Sequence, residues 1–106
     1  MNIEELKKNI SDNDAVMIYF SGENCGVCTV LSPKIKSAVS LNYPKLKQLY
    51  ISATEFKNTA AEMGVFSMPT IVVFFEGKEF LRKSRHISVD GFIDDLNRPY
   101  SLFFGQ

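Results

Sequence analysis

The sequence predicts an α/β fold, a three-layer α/β/α sandwich whose mixed, four-stranded sheet carries helices on both faces. Three observations predict it. Ala15-Val16-Met17-Ile18-Tyr19-Phe20 is a continuous apolar run of strand length, as expected for a central strand buried on both faces. Thr70-Ile71-Val72-Val73-Phe74-Phe75 is β-branched and aromatic, and Glu76-Gly77-Lys78 behind it reads as a hairpin turn. Between the runs lie stretches with apolar residues at helical spacing, so the order is α β α β α β β α.

Each element has its own signal. Ile3, Leu6 and Ile10 share one face of a short first helix, which Ser11-Asp12-Asn13-Asp14 ends with turn-forming residues. The Ala15–Phe20 strand leads into a loop, Ser21-Gly22-Glu23-Asn24, and a helix is expected to begin around the cysteines. Leu31, Ile35, Ala38 and Val39 form its apolar stripe, Pro33 is expected to kink it, and Asn42 and Pro44 end it. Leu49-Tyr50-Ile51 is a second strand. Phe56, Ala60 and Met63 mark a third helix closed by Gly64. After the hairpin through Glu79–Lys83, Ser88 caps a last helix with Val89, Phe92, Ile93 and Leu96 on one face, which Arg98-Pro99 is expected to stop.

Length and composition narrow the function. At 106 residues the chain is expected to form a single domain, 1–106, with 99–106 as an aromatic tail, and its 45% hydrophobic content is that of a globular protein. Twelve basic and 12 acidic residues cancel, so overall charge recruits neither nucleic acid nor an anionic membrane. The local clusters of Lys34, Lys36, Lys45 and Lys47, and of Lys78, Arg82, Lys83 and Arg85, read as solvated faces. No segment approaches the roughly 20 apolar residues of a membrane span. The charged N-terminus lacks the apolar core of a signal peptide, and a cytoplasmic location is expected.

The chemistry rests on Cys25-Gly26-Val27-Cys28. A disulfide across so short a loop restrains little of the unfolded chain, so stability is a poor reason for it. The motif alone reads equally as a redox pair or as either half a metal site or an inert pair. Zinc sites normally take four ligands, and the chain offers two cysteines and one distant histidine, His86, so no metal is expected. A strand before the motif and a helix after it move the balance to redox. At a helix start, unpaired N–H groups and the helix dipole favour a thiolate, and Cys25 is expected to have a lowered pKa, in the range of about 3.5–7.5. Cys28, one turn later, is expected to point inward and to resolve the mixed disulfide formed at Cys25. Gly26 and Val27 leave a small, apolar, exposed turn over which a substrate chain could lie.

The segment Val16 to Leu31, with Pro33 and Met68-Pro69-Thr70 before an apolar strand, resembles the thioredoxin family over nearly the whole chain, Ile3 to Leu96. The resemblance implies a cis-proline at Pro69 facing the cysteines, with Met68 offering backbone hydrogen bonds to an extended substrate. Asn24, Gly26 and Val27 complete the implied substrate surface. It implies a protein-disulfide oxidoreductase that needs no dissociable cofactor, because the two sulfurs carry the electrons. Its partners would be disulfide-containing proteins and a reductase or thiol electron donor. The alternative is a redox-inert adaptor on the same scaffold.

This chain departs from the family pattern at several positions. Asn24 stands where the family has Trp, and Tyr19 where thioredoxins proper have a buried Asp. Tyr50 takes the place of a Lys, Gly-Val replaces Gly-Pro, and a substrate-lining glycine falls near Arg85 or His86. A phenol is a poor general base near neutral pH, so a specialised, divergent oxidoreductase is expected. Outside the motif, His86 is expected at the surface, and Glu23 could raise the pKa of Cys25 by like-charge repulsion. The tail Tyr100-Ser101-Leu102-Phe103-Phe104 is expected either to pack onto the domain or to form an interface, giving a monomer or weak dimer.

Overall fold

The computed structural model describes residues 1–23 and 26–105. The elements are α1 (Ile3–Asp12), β1 (Ala15–Ser21), α2 (Gly26–Asn42), β2 (Lys47–Ser52), α3 (Lys57–Glu62), β3 (Thr70–Phe75), β4 (Lys78–Ser84) and α4 (Val89–Phe104). The strands form one sheet in the order β2-β1-β3-β4, with β1 parallel to β2 and antiparallel to β3, and β3 antiparallel to β4. This is the mixed, four-stranded α/β architecture that the sequence predicts.

Burial explains the order. Every residue of Ala15–Phe20 and of Thr70–Phe75 is buried, so β1 and β3 take the centre of the sheet. The polar-rich β2 and β4 take its edges. Side chains alternate across β1. Ala15, Met17 and Tyr19 face one core cluster with Cys28, Leu31, Ile35 and Val39 of α2 and Phe92, Leu96 and Tyr100 of α4. Val16, Ile18 and Phe20 face the other, with Leu6 and Ile10 of α1 and Ala60 of α3. Burying each such large side chain stabilises the fold by about 1.5–3 kcal/mol.

The ends of the elements follow local chemistry. Asn2 caps α1 by accepting from the Glu5 N–H at 2.8 Å, and Ser88 caps α4 by accepting from the Gly91 N–H at 3.1 Å. Gly64, at φ 70°, closes α3. Its N–H donates to the Ala61 carbonyl and that of Val65 to the Ala60 carbonyl, the paired bonds of a Schellman motif. Glu76 and Gly77, at φ 51° and 77°, make the two-residue turn of the β3–β4 hairpin.

The strands run slightly further than expected, with Ser21 in β1, Lys47, Gln48 and Ser52 in β2, and Lys78 and Ser84 in β4, and two helix ends differ as well. Ser11 and Asp12 belong to α1, where the Ser11 hydroxyl donates back to the Lys8 carbonyl. More consequentially, Arg98-Pro99 does not stop α4, which runs through Pro99 to Phe104. Proline removes one helical hydrogen bond, and tertiary packing outweighs that loss. Tyr100 is buried, its ring lies 4.7 Å from that of Tyr43, and its hydroxyl accepts from the Lys45 N–H at 3.1 Å. Phe103 packs on Phe75 at 5.6 Å and Phe104 on Tyr100 at 4.6 Å. The aromatic tail is therefore the last turn of a helix seated on the core. Pro33 likewise lies inside α2, which continues past it to Asn42.

Candidate active site

The site lies at the C-terminal end of β1, where the chain turns into α2. Asn24 and Cys25, two of the residues expected to act here, lie outside the described residues. Gly26 opens α2, so Cys28 falls in its first turn. Cys28 is 6% exposed, belongs to the core cluster under α2, and is disulfide-bonded. Gly26 is exposed, and Val27 and Val30 are 59% and 60% exposed. With Leu31, Lys34, Ile87 and Val89, these three line a shallow apolar groove beside the start of the helix.

The Met68–Pro69 peptide bond is cis, as the resemblance implies. Three contacts hold this segment. The register pairs Thr70 with Phe20, which sets Pro69 beside the end of β1. The Thr70 hydroxyl donates to the Ser67 carbonyl at 2.7 Å, bridging the ends of the four-residue turn. The Pro69 carbonyl accepts from the Arg85 N–H at 2.8 Å, which ties the turn to the end of β4. Pro69 is buried and Met68 half-buried.

Gly22 links the two halves. A Cβ placed on it would lie 2.9 Å from Cγ and 3.3 Å from Cβ of Met68, so the loop entering the cysteine motif rests directly on Met68. Glu23, in the same loop, is anchored by its N–H to the Thr54 hydroxyl oxygen at 2.9 Å. Sequence reasoning placed Gly22 in a loop but assigned it no role, because its partner is distant in the chain. Phe66, 82% exposed just before the cis bond, also escaped notice. An aromatic residue in a Gly-to-Pro loop was the available signal.

Beneath the site, Tyr19 and Tyr50 are register partners on β1 and β2, their rings 5.5 Å apart. The Tyr50 hydroxyl donates to Gln48 Oε1 at 2.5 Å, and Lys36 Nζ lies 6.0 Å from the Tyr50 ring centre. Burial, reinforced by the neighbouring Tyr19, pushes the Tyr50 phenol up to about 12. Burial also raises that of Tyr19. Both phenols are therefore neutral near physiological pH. His86 is exposed, as expected.

Among the described residues, no group of three or more His, Cys, Asp or Glu side chains could hold a metal ion. None of the described helices is long and apolar enough to cross a membrane.

Comparison with known proteins agrees with this architecture. A family model described as Thioredoxin matches residues 1–97. The thioredoxin-like protein YdfQ of Bacillus subtilis is 27% identical over 105 residues, covering 99% of this chain and 93% of that protein. The thioredoxin of Rickettsia conorii is 35% identical over 75 residues, 70% of this chain and 71% of its own length. A mutant thioredoxin from Halobacterium salinarum superposes with a TM-score of 0.78 at 26% identity, over 90% of this chain and 82% of that one. With the family model spanning nearly the whole sequence, the chain belongs to the thioredoxin family.

Proposed function

We propose that the chain is a protein-disulfide oxidoreductase that works by dithiol–disulfide exchange, with Cys25 as nucleophile and Cys28 as resolving thiol. The observation that carries this reading is the state of Cys28, which is disulfide-bonded in the first turn of α2, buried in the core cluster under that helix, next to residues that line an exposed apolar groove. Thioredoxin-family membership supports redox chemistry of this kind.

In the reducing direction, the Cys25 thiolate attacks a substrate disulfide, forming a mixed disulfide and releasing the first substrate sulfur as a thiolate that takes up a proton. The Cys28 sulfur, losing its proton, then attacks Cys25. This frees the second substrate thiol and leaves a disulfide on this chain. Two electrons have moved to the substrate, and an external dithiol or reductase restores the starting state. Substrate backbone would lie along Met68 and Pro69, with Asn24, Gly26 and Val27 beneath it. A cytoplasmic setting fits reduction of substrates, since glutathione and thioredoxin systems keep thiols reduced there.

Reduction of insulin disulfides driven by dithiothreitol, comparing wild type with Cys25→Ser, tests the reading. Turnover above the dithiothreitol background that vanishes in the variant is the expected result. Equal rates with and without the protein would overturn it in favour of a redox-inert adaptor.

A further inference from the structure

Tyr19 carries an unusual feature. Its hydroxyl is buried and has no hydrogen-bond partner, and no other buried side-chain oxygen or nitrogen among the described residues shares that condition. The neighbouring phenol differs, since the Tyr50 hydroxyl is satisfied by Gln48. Leaving such a group unpaired is destabilising, and a phenylalanine would fill the same space without that cost.

The topology puts Tyr19 and Cys28 on the same side of the sheet, in one buried cluster. Tyr19 faces the α2 side of β1, with Ala15 and Met17, and it is the last residue of β1 that contributes to that cluster. The connection from β1 to α2 is short, so the first turn of α2, which carries Cys28, returns over the same end of the strand. Both residues belong to one buried cluster. A disulfide sulfur is a weak acceptor, whereas a thiolate is a strong one.

We propose that the Tyr19 hydroxyl donates a hydrogen bond to the Cys28 sulfur when the disulfide opens, and so biases the couple toward its dithiol form. The inference rests on the exchange reaction proposed above. In that reduction, an external dithiol gives two electrons and two protons and closes its own S–S bond. The disulfide of this chain opens, and Cys28 is left as a thiol or, after loss of its proton to solvent, a thiolate. The hydroxyl then gains a partner it lacks in the oxidised protein. Its phenol stays protonated near neutral pH because burial raises its pKa, so it acts as a donor there.

The test is the thiol–disulfide equilibrium of wild type, Tyr19→Phe and Tyr50→Phe in mixtures of reduced and oxidised dithiothreitol, read by alkylation and mass. Tyr19→Phe should lower the equilibrium constant for reduction about tenfold, which is about 30 mV. Tyr50→Phe should leave it within about twofold. Oxidised Tyr19→Phe should also unfold at equal or higher urea concentration than oxidised wild type, since only an unpaired hydroxyl is removed. An unchanged constant in Tyr19→Phe, or an equal shift in both variants, would overturn the proposal while leaving the oxidoreductase reading intact. A wild-type protein whose cysteine pair does not titrate reversibly would instead overturn that reading, and the proposal with it.

Discussion

Gly22 and Met68, 46 residues apart in the chain, lie so close that a methyl group on Gly22 would sit 2.9 Å from Cγ of Met68. This close approach joins the loop that enters the cysteine motif to the residue that precedes the cis bond.

Gly22→Ala is therefore expected to displace Met68. Overpacking of this kind costs about 1–3 kcal/mol, and the flexible methionine places the expected loss near the lower end. Combining it with Met68→Ala should recover part of that loss, giving a favourable coupling energy of about 0.5 kcal/mol or more in a double-mutant cycle. Urea unfolding of the four proteins checks it, and strictly additive losses would contradict the contact. If substrate lies along Met68, Gly22→Ala should also raise KM for a protein disulfide more than it changes kcat.

Arg85 is a second constraint on the same turn. It holds φ 64°, a left-handed conformation, while its N–H donates to the Pro69 carbonyl. A side chain there costs about 1–2 kcal/mol, and glycine's added unfolded-state freedom returns about 0.5–1 of that. Arg85→Gly should thus stabilise the protein by about 0.5–1 kcal/mol, and Arg85→Val should destabilise it. Thermal unfolding of both variants decides the matter, and the same sign of shift in both would count against the strain.

Arg82 supplies the pH-dependent link. Its guanidinium forms a two-pronged pair with Glu79, at 2.8 and 3.0 Å, and also donates to the Met63 and Gly64 carbonyls at the end of α3. Hydrogen bonding to Arg82 holds the Glu79 carboxyl below its ordinary range. A carboxylate depressed on folding contributes stability that is present above its unfolded pKa and lost as pH falls through the folded value. The pair is solvent-exposed, so the contribution is under about 1 kcal/mol. Glu79→Gln should be slightly less stable than wild type at neutral pH and equal to it once Glu79 is protonated in both states. Arg82→Ala should cost more, about 1–2 kcal/mol, because it also strips the Met63 and Gly64 carbonyls just past α3. A gap between wild type and Glu79→Gln that widens toward acid pH would refute the assignment.

How legible these features are in the sequence depends on the range of the forces involved. The strands Ala15–Phe20 and Thr70–Phe75, the Glu76-Gly77 turn and the Gly64 cap are set by local pattern and local φ, and all appear where the residues put them. Cys25 and Cys28 are legible as a motif, and Pro69 from its neighbours. The Gly22–Met68 contact and the satisfied carbonyls under Arg82 are not legible, since both join segments far apart in the chain. The strain at Arg85 is invisible for another reason, because arginine carries no signal for a left-handed backbone.

Pro99 shows local and distant effects in direct conflict, and it can be tested. The local rule stops the helix at Arg98-Pro99. Yet the stripe Phe92, Leu96, Tyr100 keeps a spacing of four residues straight through the proline, and Phe103 and Phe104 extend it. Burial of that stripe holds α4 together across a position where the Asp95 carbonyl loses its usual N–H donor. Pro99→Ala restores that donor and removes a helix-interior penalty of about 3 kcal/mol. The more flexible unfolded chain gives back about 1 kcal/mol, so a net gain of about 2 kcal/mol is expected. Tyr100→Phe keeps the ring but loses the bond from the Lys45 N–H, and should cost about 1 kcal/mol. Tyr100→Ala should cost 3 kcal/mol or more, as for other large buried aromatics (about 3–5). Urea unfolding of the three variants distinguishes the contributions. If Pro99→Ala gained nothing while Tyr100→Ala remained fully stable, the aromatic stripe would not be what carries the helix through the proline.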